Sequence, residues 1–81
     1  MFVIEWKEEA IRELEKLERN IALRIYRKVE ELKNNPFSMN IKRLKGVNAF
    51  RLRIGDYRAI FEVEKDTISI LKVGHRRNIY N

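Results

Sequence analysis

The sequence predicts an α+β fold in which a helix hairpin covers one face of an antiparallel sheet. Apolar residues recur at helical spacing in the first half of the chain, and strand-like alternation with tight turns dominates the second half. A proline separates the two patterns. With 81 residues and no internal repeat or linker, the chain is expected to form one domain, residues 1–81, in the order βααβββ.

The elements before the proline are a strand and two helices. Residues 2–6 alternate between apolar and other side chains from Phe2 to Trp6, which predicts a strand. A helix is expected to start at Glu8, where a carboxylate meets the positive end of the helix dipole. Residues 21–33 repeat the helical spacing, so an antiparallel helix pair is expected with its junction near Asn20.

The connector begins at Asn34-Asn35-Pro36, because proline cannot continue a helix and biases its predecessor toward extended backbone. Gly46 is expected to mark a turn within it. The predicted apolar anchors are Phe37, Met39, Ile41 and Leu44, and the predicted exposed cations are Lys42, Arg43 and Lys45.

The first hairpin follows from residues 50–54, where apolar side chains alternate with arginines as in a half-buried strand. Gly55-Asp56 comes next, and glycine at the first position of a two-residue loop accepts the positive φ of a tight hairpin. The predicted register places Ile54 opposite Tyr57, Arg53 opposite Arg58, Leu52 opposite Ala59 and Arg51 opposite Ile60.

A second tight turn is expected at Lys65-Asp66, with Glu64 opposite Thr67. Uninterrupted alternation from this turn assigns the remaining side chains to two faces. One face is expected to hold Arg51, Arg53, Arg58 and His75, with an apolar strip of Ile60, Leu71 and Val73 beside them. The other is expected to face the core with Phe50, Leu52, Ile54, Ala59, Phe61, Val63, Ile68 and Ile70, and Trp6 and Phe37 are also expected to be buried.

Charge is unevenly distributed along the chain. Residues 1–40 contain eight Lys/Arg and eight Asp/Glu, and residues 41–81 contain ten and four, so the net charge of +6 lies wholly in the second half. Such an excess indicates a polyanionic partner, with nucleic acid favoured over a membrane surface. A solvated basic surface that serves solubility is the alternative.

Cysteine is absent and histidine occurs once, which excludes disulfides, a cysteine nucleophile and a histidine-rich metal site. No segment has the length of a membrane span, and the N-terminus lacks the features of a signal peptide. A cytoplasmic protein without a metal or cofactor is therefore expected.

Three motifs resemble the RelE branch of the RelE/ParE toxin superfamily: KRLKG at Lys42–Gly46, FRLRIGDYRAIFEV at Phe50–Val63 and VGHRRNIY at Val73–Tyr80. Members of that branch are ribosome-dependent mRNA endonucleases of type II toxin–antitoxin modules. They act in the ribosomal A site and are inhibited by an antitoxin wrapped around them. The resemblance implies a cognate RelB-like antitoxin in a hetero-oligomeric complex, with the ribosome, its rRNA and mRNA as further partners.

The resemblance also implies site residues. The basic pair of the family falls on Arg51 and Arg53, its hairpin arginine on Arg58, its later arginine on Arg76 and its terminal tyrosine on Tyr80, and some relatives have a histidine at position 75. Members that carry lysines at the basic pair differ from this chain.

The expected chemistry is attack of a 2′-OH on the adjacent phosphate, which needs a base, cations for the phosphorane and an acid for the departing oxygen. Arg58 and Arg76 suit charge stabilisation, because a guanidinium forks onto phosphate oxygens. The expected catalytic residues are thus Arg58, Arg76, His75 and Tyr80, and the expected RNA-binding residues are Arg51, Arg53, Lys42, Lys45, Arg43 and Arg77. The base stays open among His75, Lys42 and Lys45, since a guanidinium accepts protons poorly.

Two alternatives use the same scaffold. A ParE-like toxin would act on DNA gyrase and need no nucleolytic residues, and a degenerate toxin would bind RNA without cutting it. The apolar strip has two possible roles as well, either to receive an antitoxin segment or to be covered by a loop of the chain itself.

Overall fold

The computed structural model describes residues 1–36, 40–45 and 48–79, and these ranges form two helices packed on a five-stranded sheet. The α+β class is confirmed. The elements are β1 (Val3–Trp6), α1 (Glu8–Glu15), α2 (Arg19–Glu30), a 3₁₀ turn (Glu31–Lys33), β2 (Ile41–Arg43), β3 (Ala49–Ile54), β4 (Tyr57–Glu64) and β5 (Thr67–His75). The strand order across the sheet is β1-β5-β4-β3-β2.

The sheet differs from the expected one in two respects. β1 runs parallel to β5, so the sheet is mixed rather than wholly antiparallel. Both helices lie between β1 and the later strands in the sequence, and they form part of the crossover that parallel pairing requires. An additional strand, β2, lies in the predicted connector and pairs antiparallel with β3. Three residues are too few for alternation to reveal a strand. The predicted anchors Phe37 and Met39 and the predicted turn at Gly46 lie outside the described residues.

Both helices bury their apolar stripes against the sheet. α1 packs chiefly on β5, and α2 on β3 and β4, so contacts with the sheet hold the helix pair. No helix in the described ranges is long and apolar enough to cross a membrane. The buried core comprises Ala10, Ile25, Val29, Leu32, Leu52, Ile54, Ala59, Phe61, Ile68, Ile70 and Val73, with Trp6, Phe50 and Val63 partly buried against it.

The β3–β4 hairpin has the predicted two-residue loop and the predicted register throughout. Gly55 has φ = 59°, as the first residue of such a loop requires. Lys65 takes the corresponding position in the β4–β5 hairpin with φ = 56°. The β4–β5 hairpin thus has a residue with a side chain, Lys65, at positive φ. The β3–β4 hairpin has glycine, which adopts positive φ without steric cost.

A β-bulge shifts the β4–β5 register between Ile60 and Phe61. Phe61 pairs with Ile70 as predicted, but Ile60 pairs with Lys72, which leaves Leu71 as the extra residue. Beyond the bulge, Val73 lies opposite Ala59 and His75 opposite Tyr57. The prediction that Val73 and His75 share the arginine face is thus wrong, because one inserted residue moves all later side chains to the other face.

α1 covers the part of the β5 edge that β1 does not reach. β1 ends opposite Ile70, and the next backbone contact at this edge is the bond from Lys7 N–H to the Ile70 carbonyl at 2.9 Å. Farther along, the Val73 N–H donates to Glu13 Oε1 at 2.9 Å. The Glu13 side chain thus accepts from a backbone N–H of β5 that lies beyond the end of β1.

The two hairpin loops are expected to respond unequally to substitution of their first residue. We expect Gly55→Ala to lower the free energy of unfolding by roughly 1–2 kcal/mol, since alanine disfavours left-handed backbone. Its Cβ would also lie 2.9 Å from Arg24 Nη2. For Lys65→Gly we expect a change below about 1 kcal/mol, because relief of strain is offset by unfolded-state entropy. Urea unfolding of both variants measures this contrast, and equal destabilisation by the two would contradict it.

Candidate nucleic-acid interface

The face of the sheet opposite the helices, called the open face below, is basic at the end near the β3–β4 loop. Arg53 and Arg58 lie directly opposite each other in the row next to that loop. In the following row Lys42 lies opposite Arg51. Directly opposed like charges destabilise a sheet pair, so an anion bound over these residues would relieve their repulsion.

The other end of the open face is acidic. Glu62 lies opposite Ser69, which lies opposite Glu5 on β1, and Glu64 closes the β4–β5 hairpin. The Glu5 carboxylate accepts a hydrogen bond from Ser69 Oγ at 3.2 Å and lies 3.3 Å from Lys7 Nζ. The open face is thus positive at one end of its strands and negative at the other, and an anionic ligand is directed toward the β3–β4 loop.

The cations of the open face line a surface depression of about 260 Å³, called the basic pocket below. The residues that line it are Asn40, Ile41, Lys42, Arg51, Arg53 and Arg58. Its cations come from β2, β3 and β4, so the pairing of these three strands assembles the pocket.

Arg58 is held by the loop beside it. Its Nη1 donates to the Gly55 carbonyl at 2.7 Å and to the Tyr57 carbonyl at 2.9 Å. Both acceptors are backbone oxygens of the hairpin, so the position of the guanidinium follows the loop conformation. The other guanidinium nitrogens keep donors for an external acceptor.

The pKa of Arg58 is shifted by its surroundings. Partial burial, the largest cause, lowers its pKa. The charges of Arg53, Arg51 and Arg76 lower this pKa further, in that order. The Asp56 carboxylate acts in the opposite direction. A guanidinium remains charged near neutrality, so this cluster concentrates positive potential at one place.

Arg76 joins the cluster through the residue after Gly55. Its N–H donates to the Asp56 carbonyl at 2.8 Å, and its Nε lies 4.0 Å from Asp56 Oδ1. These contacts hold the turn after β5 against the β3–β4 loop. Both side chains are more than half exposed, so their ion pair is weak and Arg76 remains available to a ligand.

His75 lies beside this cluster rather than in it. Its ring meets Tyr57 edge-on, with 5.3 Å between ring centroids. Its Nδ1 accepts a hydrogen bond from the Arg77 N–H at 3.2 Å, so the neutral ring carries its proton on Nε2. Because His75 pairs with Tyr57 on the helix-side face, the structure does not bring it into the basic pocket.

The remaining candidate residues are dispersed. Arg43 is exposed opposite Phe50, on the face away from Arg51, and Lys45 is exposed at the end of β2 away from the β3–β4 loop. Arg77 is exposed in the turn after β5. Tyr80 lies outside the described residues.

The apolar strip is partly as predicted. Ile60 and Leu71 do lie on the open face, where they pack with Ala49, Leu44 and Ile79 in a second small cluster. Ile79 is only 7% exposed there, so the C-terminal turn covers the strip. This favours the interpretation in which the chain covers its own apolar strip.

Arg24 is a neighbour of the site that the sequence does not reveal. The helical pattern places it on the solvated face of α2, yet its guanidinium packs against Gly55 from the helix side. The two residues are far apart in the sequence, and no local pattern links them. The β3–β4 loop thus has Arg58 and Arg76 against its backbone and Arg24 behind it.

Metal ligation has no basis in the described residues, where no group of three or more acidic or histidine side chains is placed to hold an ion.

The chain is similar in sequence to known toxins. The sequence profile of the ParE toxin of the type II toxin–antitoxin system parDE matches residues 4–80. Toxin RelE3 of Methanocaldococcus jannaschii is 37% identical over 76 residues, which cover 88% of this chain and 86% of that toxin.

Solved structures agree with these matches. The RelBE2 toxin–antitoxin complex of Mycobacterium tuberculosis contains a chain similar at a TM-score of 0.84 and 26% identity, covering 93% of this chain and 98% of that one. The RelB–RelE complex of Methanococcus jannaschii matches with a TM-score of 0.77 and 32% identity over 94% of both chains. The protein therefore belongs to the ParE toxin family of type II toxin–antitoxin systems, within the RelE/ParE superfamily.

Proposed function

We propose that this toxin is a ribosome-dependent endoribonuclease that cleaves mRNA in the ribosomal A site. The basic pocket carries the proposal, because it places Arg51, Arg53 and Arg58 with Lys42 around a space open to a phosphate. The 37% identity to a toxin named RelE3 supports the RelE-like activity over other activities of the superfamily.

The arginines supply the electrostatic part of the reaction. Negative charge grows on the phosphate oxygens as a 2′-oxygen attacks, and preorganised cations stabilise that charge without reorganising. Arg58 is preorganised by its two bonds to backbone carbonyls, and Arg76 is placed next to it by the Asp56 carbonyl. Arg51 and Arg53 bind the flanking backbone.

Proton transfer needs a group other than a guanidinium. Among the described residues that line the basic pocket, Lys42 is the only such titratable side chain. In its neutral form its amine accepts the 2′-OH proton while the 2′-oxygen bonds to phosphorus. The bond from phosphorus to the 5′-oxygen then breaks, and that oxygen takes up a proton, which leaves a cyclic phosphate and a 5′-hydroxyl. Tyr80 is the candidate for that donor, since His75 lies outside the basic pocket.

The proposed regulator is a RelB-like antitoxin. Similar chains occur in RelB–RelE and RelBE2 complexes, and the charge of +6 favours an acidic partner. An antitoxin that covers the basic end of the open face would exclude the substrate.

A ParE-like gyrase poison is the second candidate, and the match to the ParE toxin profile favours it. That activity would need the scaffold and its surface but no proton transfer at Lys42. The two functions therefore separate experimentally on the same set of variants.

The first test is primer extension on translating ribosomes programmed with a defined mRNA, with naked mRNA as a control. We expect cuts confined to the A site and lost in Arg76→Ala, because that change removes a cation placed beside Arg58. Arg19→Ala, an exposed arginine at the start of α2, is the matched control and should cut normally. Absence of cleavage by a wild-type protein that still arrests growth would reject the nuclease and favour gyrase.

A second test separates charge from geometry at Arg58. We expect Arg58→Ala to reduce the slope of log K against log salt for single-stranded RNA by about 0.7, since one phosphate contact is lost. Arg58→Lys should keep that slope, yet lower the cleavage rate by roughly tenfold or more, because an ammonium cannot hold the loop carbonyls and fork onto phosphate at once. Wild-type cleavage by Arg58→Lys would show that charge alone suffices.

A further inference from the structure

A second depression, called the side pocket below, lies between the end of α2 and β3. It has a volume of about 200 Å³. Two buried leucines form its apolar part, Leu32 at 2% exposure and Leu52 at 4%. Apolar surface next to polar groups suits the flat, partly apolar ring of a nucleobase.

The polar lining of the side pocket can recognise hydrogen-bonding edges. Asn35 and Asn40 contribute side-chain amides, each with donors and an acceptor, and Glu31 contributes a carboxylate that only accepts. Lys28 lies on the same rim, with its Nζ 3.8 Å from Glu31 Oε1. Amides and carboxylates are among the groups that read base edges in protein–nucleic acid complexes.

The side pocket and the basic pocket adjoin at the edge of the sheet. Arg53 and Asn40 line both of them. The Arg53 N–H donates to the Asn40 carbonyl at 2.9 Å, which fixes these two residues relative to each other. A ligand can therefore extend from the phosphate position over the sheet edge into the side pocket.

We propose that the side pocket receives the base of a nucleotide whose phosphate lies in the basic pocket. The proposal rests on the proposed function for the identity of the ligand as RNA. Because Glu31 only accepts hydrogen bonds, the pocket selects bases that carry an exocyclic amino group, adenine, cytosine and guanine, over uracil, whose exocyclic oxygens only accept.

The test measures binding to the isolated protein by chemical-shift titration. The probes are adenosine, cytidine and uridine 5′-monophosphates, ribose 5-phosphate and inorganic phosphate. We expect the adenosine or cytidine nucleotide to bind about tenfold tighter than ribose 5-phosphate, the ratio expected for one good base contact. Equal affinity for ribose 5-phosphate and all nucleotides would overturn the proposal without any variant.

Two variants assign the effect to the side pocket. We expect the double variant Asn35→Ala/Asn40→Ala to bind nucleotides no better than ribose 5-phosphate, and Glu31→Gln to lose the preference over uridine monophosphate. Asn20→Ala, an exposed amide in the first turn of α2, is the matched control and should behave as wild type. Unchanged nucleotide preference in Glu31→Gln would refute the selection even where the double variant fails to fold.

The two proposals fail separately. Nucleotide preference is measured without ribosomes, and cleavage is measured on them. A-site cleavage without nucleotide preference would remove only the side-pocket proposal, and nucleotide preference without cleavage would remove only the nuclease.

Discussion

The basic surface depends on the conformation of the two-residue loop between β3 and β4. Gly55 takes a positive φ there, which lets its carbonyl accept from Arg58 and leaves room for Arg24 behind it. The Asp56 carbonyl accepts the N–H of Arg76. Three arginines thus contact one loop. Arg58 and Arg76 bond to its backbone carbonyls, and Arg24 occupies the space that a side chain at position 55 would fill.

This concentration of charge is unfavourable for the isolated protein. Arg53 opposes Arg58 directly, and the lowered pKa of Arg58 reflects both its partial burial and its cationic neighbours. Core packing on the other face of the sheet offsets this repulsion, because the same strands bury Leu52, Ala59 and Phe61 against the helices. Charge repulsion of this kind at a surface pocket, offset by packing elsewhere in the fold, is typical of a functional site. The acidic end of the open face repels a polyanion that lies along the strands, and so restricts such a ligand to the basic end.

The sequence predicted the fold class, the β3–β4 register and the convergence of Arg51, Arg53 and Arg58 because each depends on short-range rules. Gly55 predicts a two-residue hairpin loop, and alternation then assigns each side chain to a face of the sheet. The bulge at Leu71 interrupts that alternation without a local signal, so alternation predicts the wrong face for Val73 and His75. The parallel pairing of β1 and the contact of Arg24 with Gly55 depend on how distant segments pack, which no local pattern encodes.

The proposed function requires RNA to bind the end of the open face next to the β3–β4 loop. The most direct measurement is backbone amide shift mapping with a short single-stranded RNA that carries a 2′-deoxy sugar at the cleavage position. We expect shifts to concentrate at Arg51, Arg53, Arg58 and Arg76, while Glu62 and Glu64 at the other end of β4 stay unchanged. Shifts centred on the acidic end, or on the outer surfaces of the two helices, would contradict it.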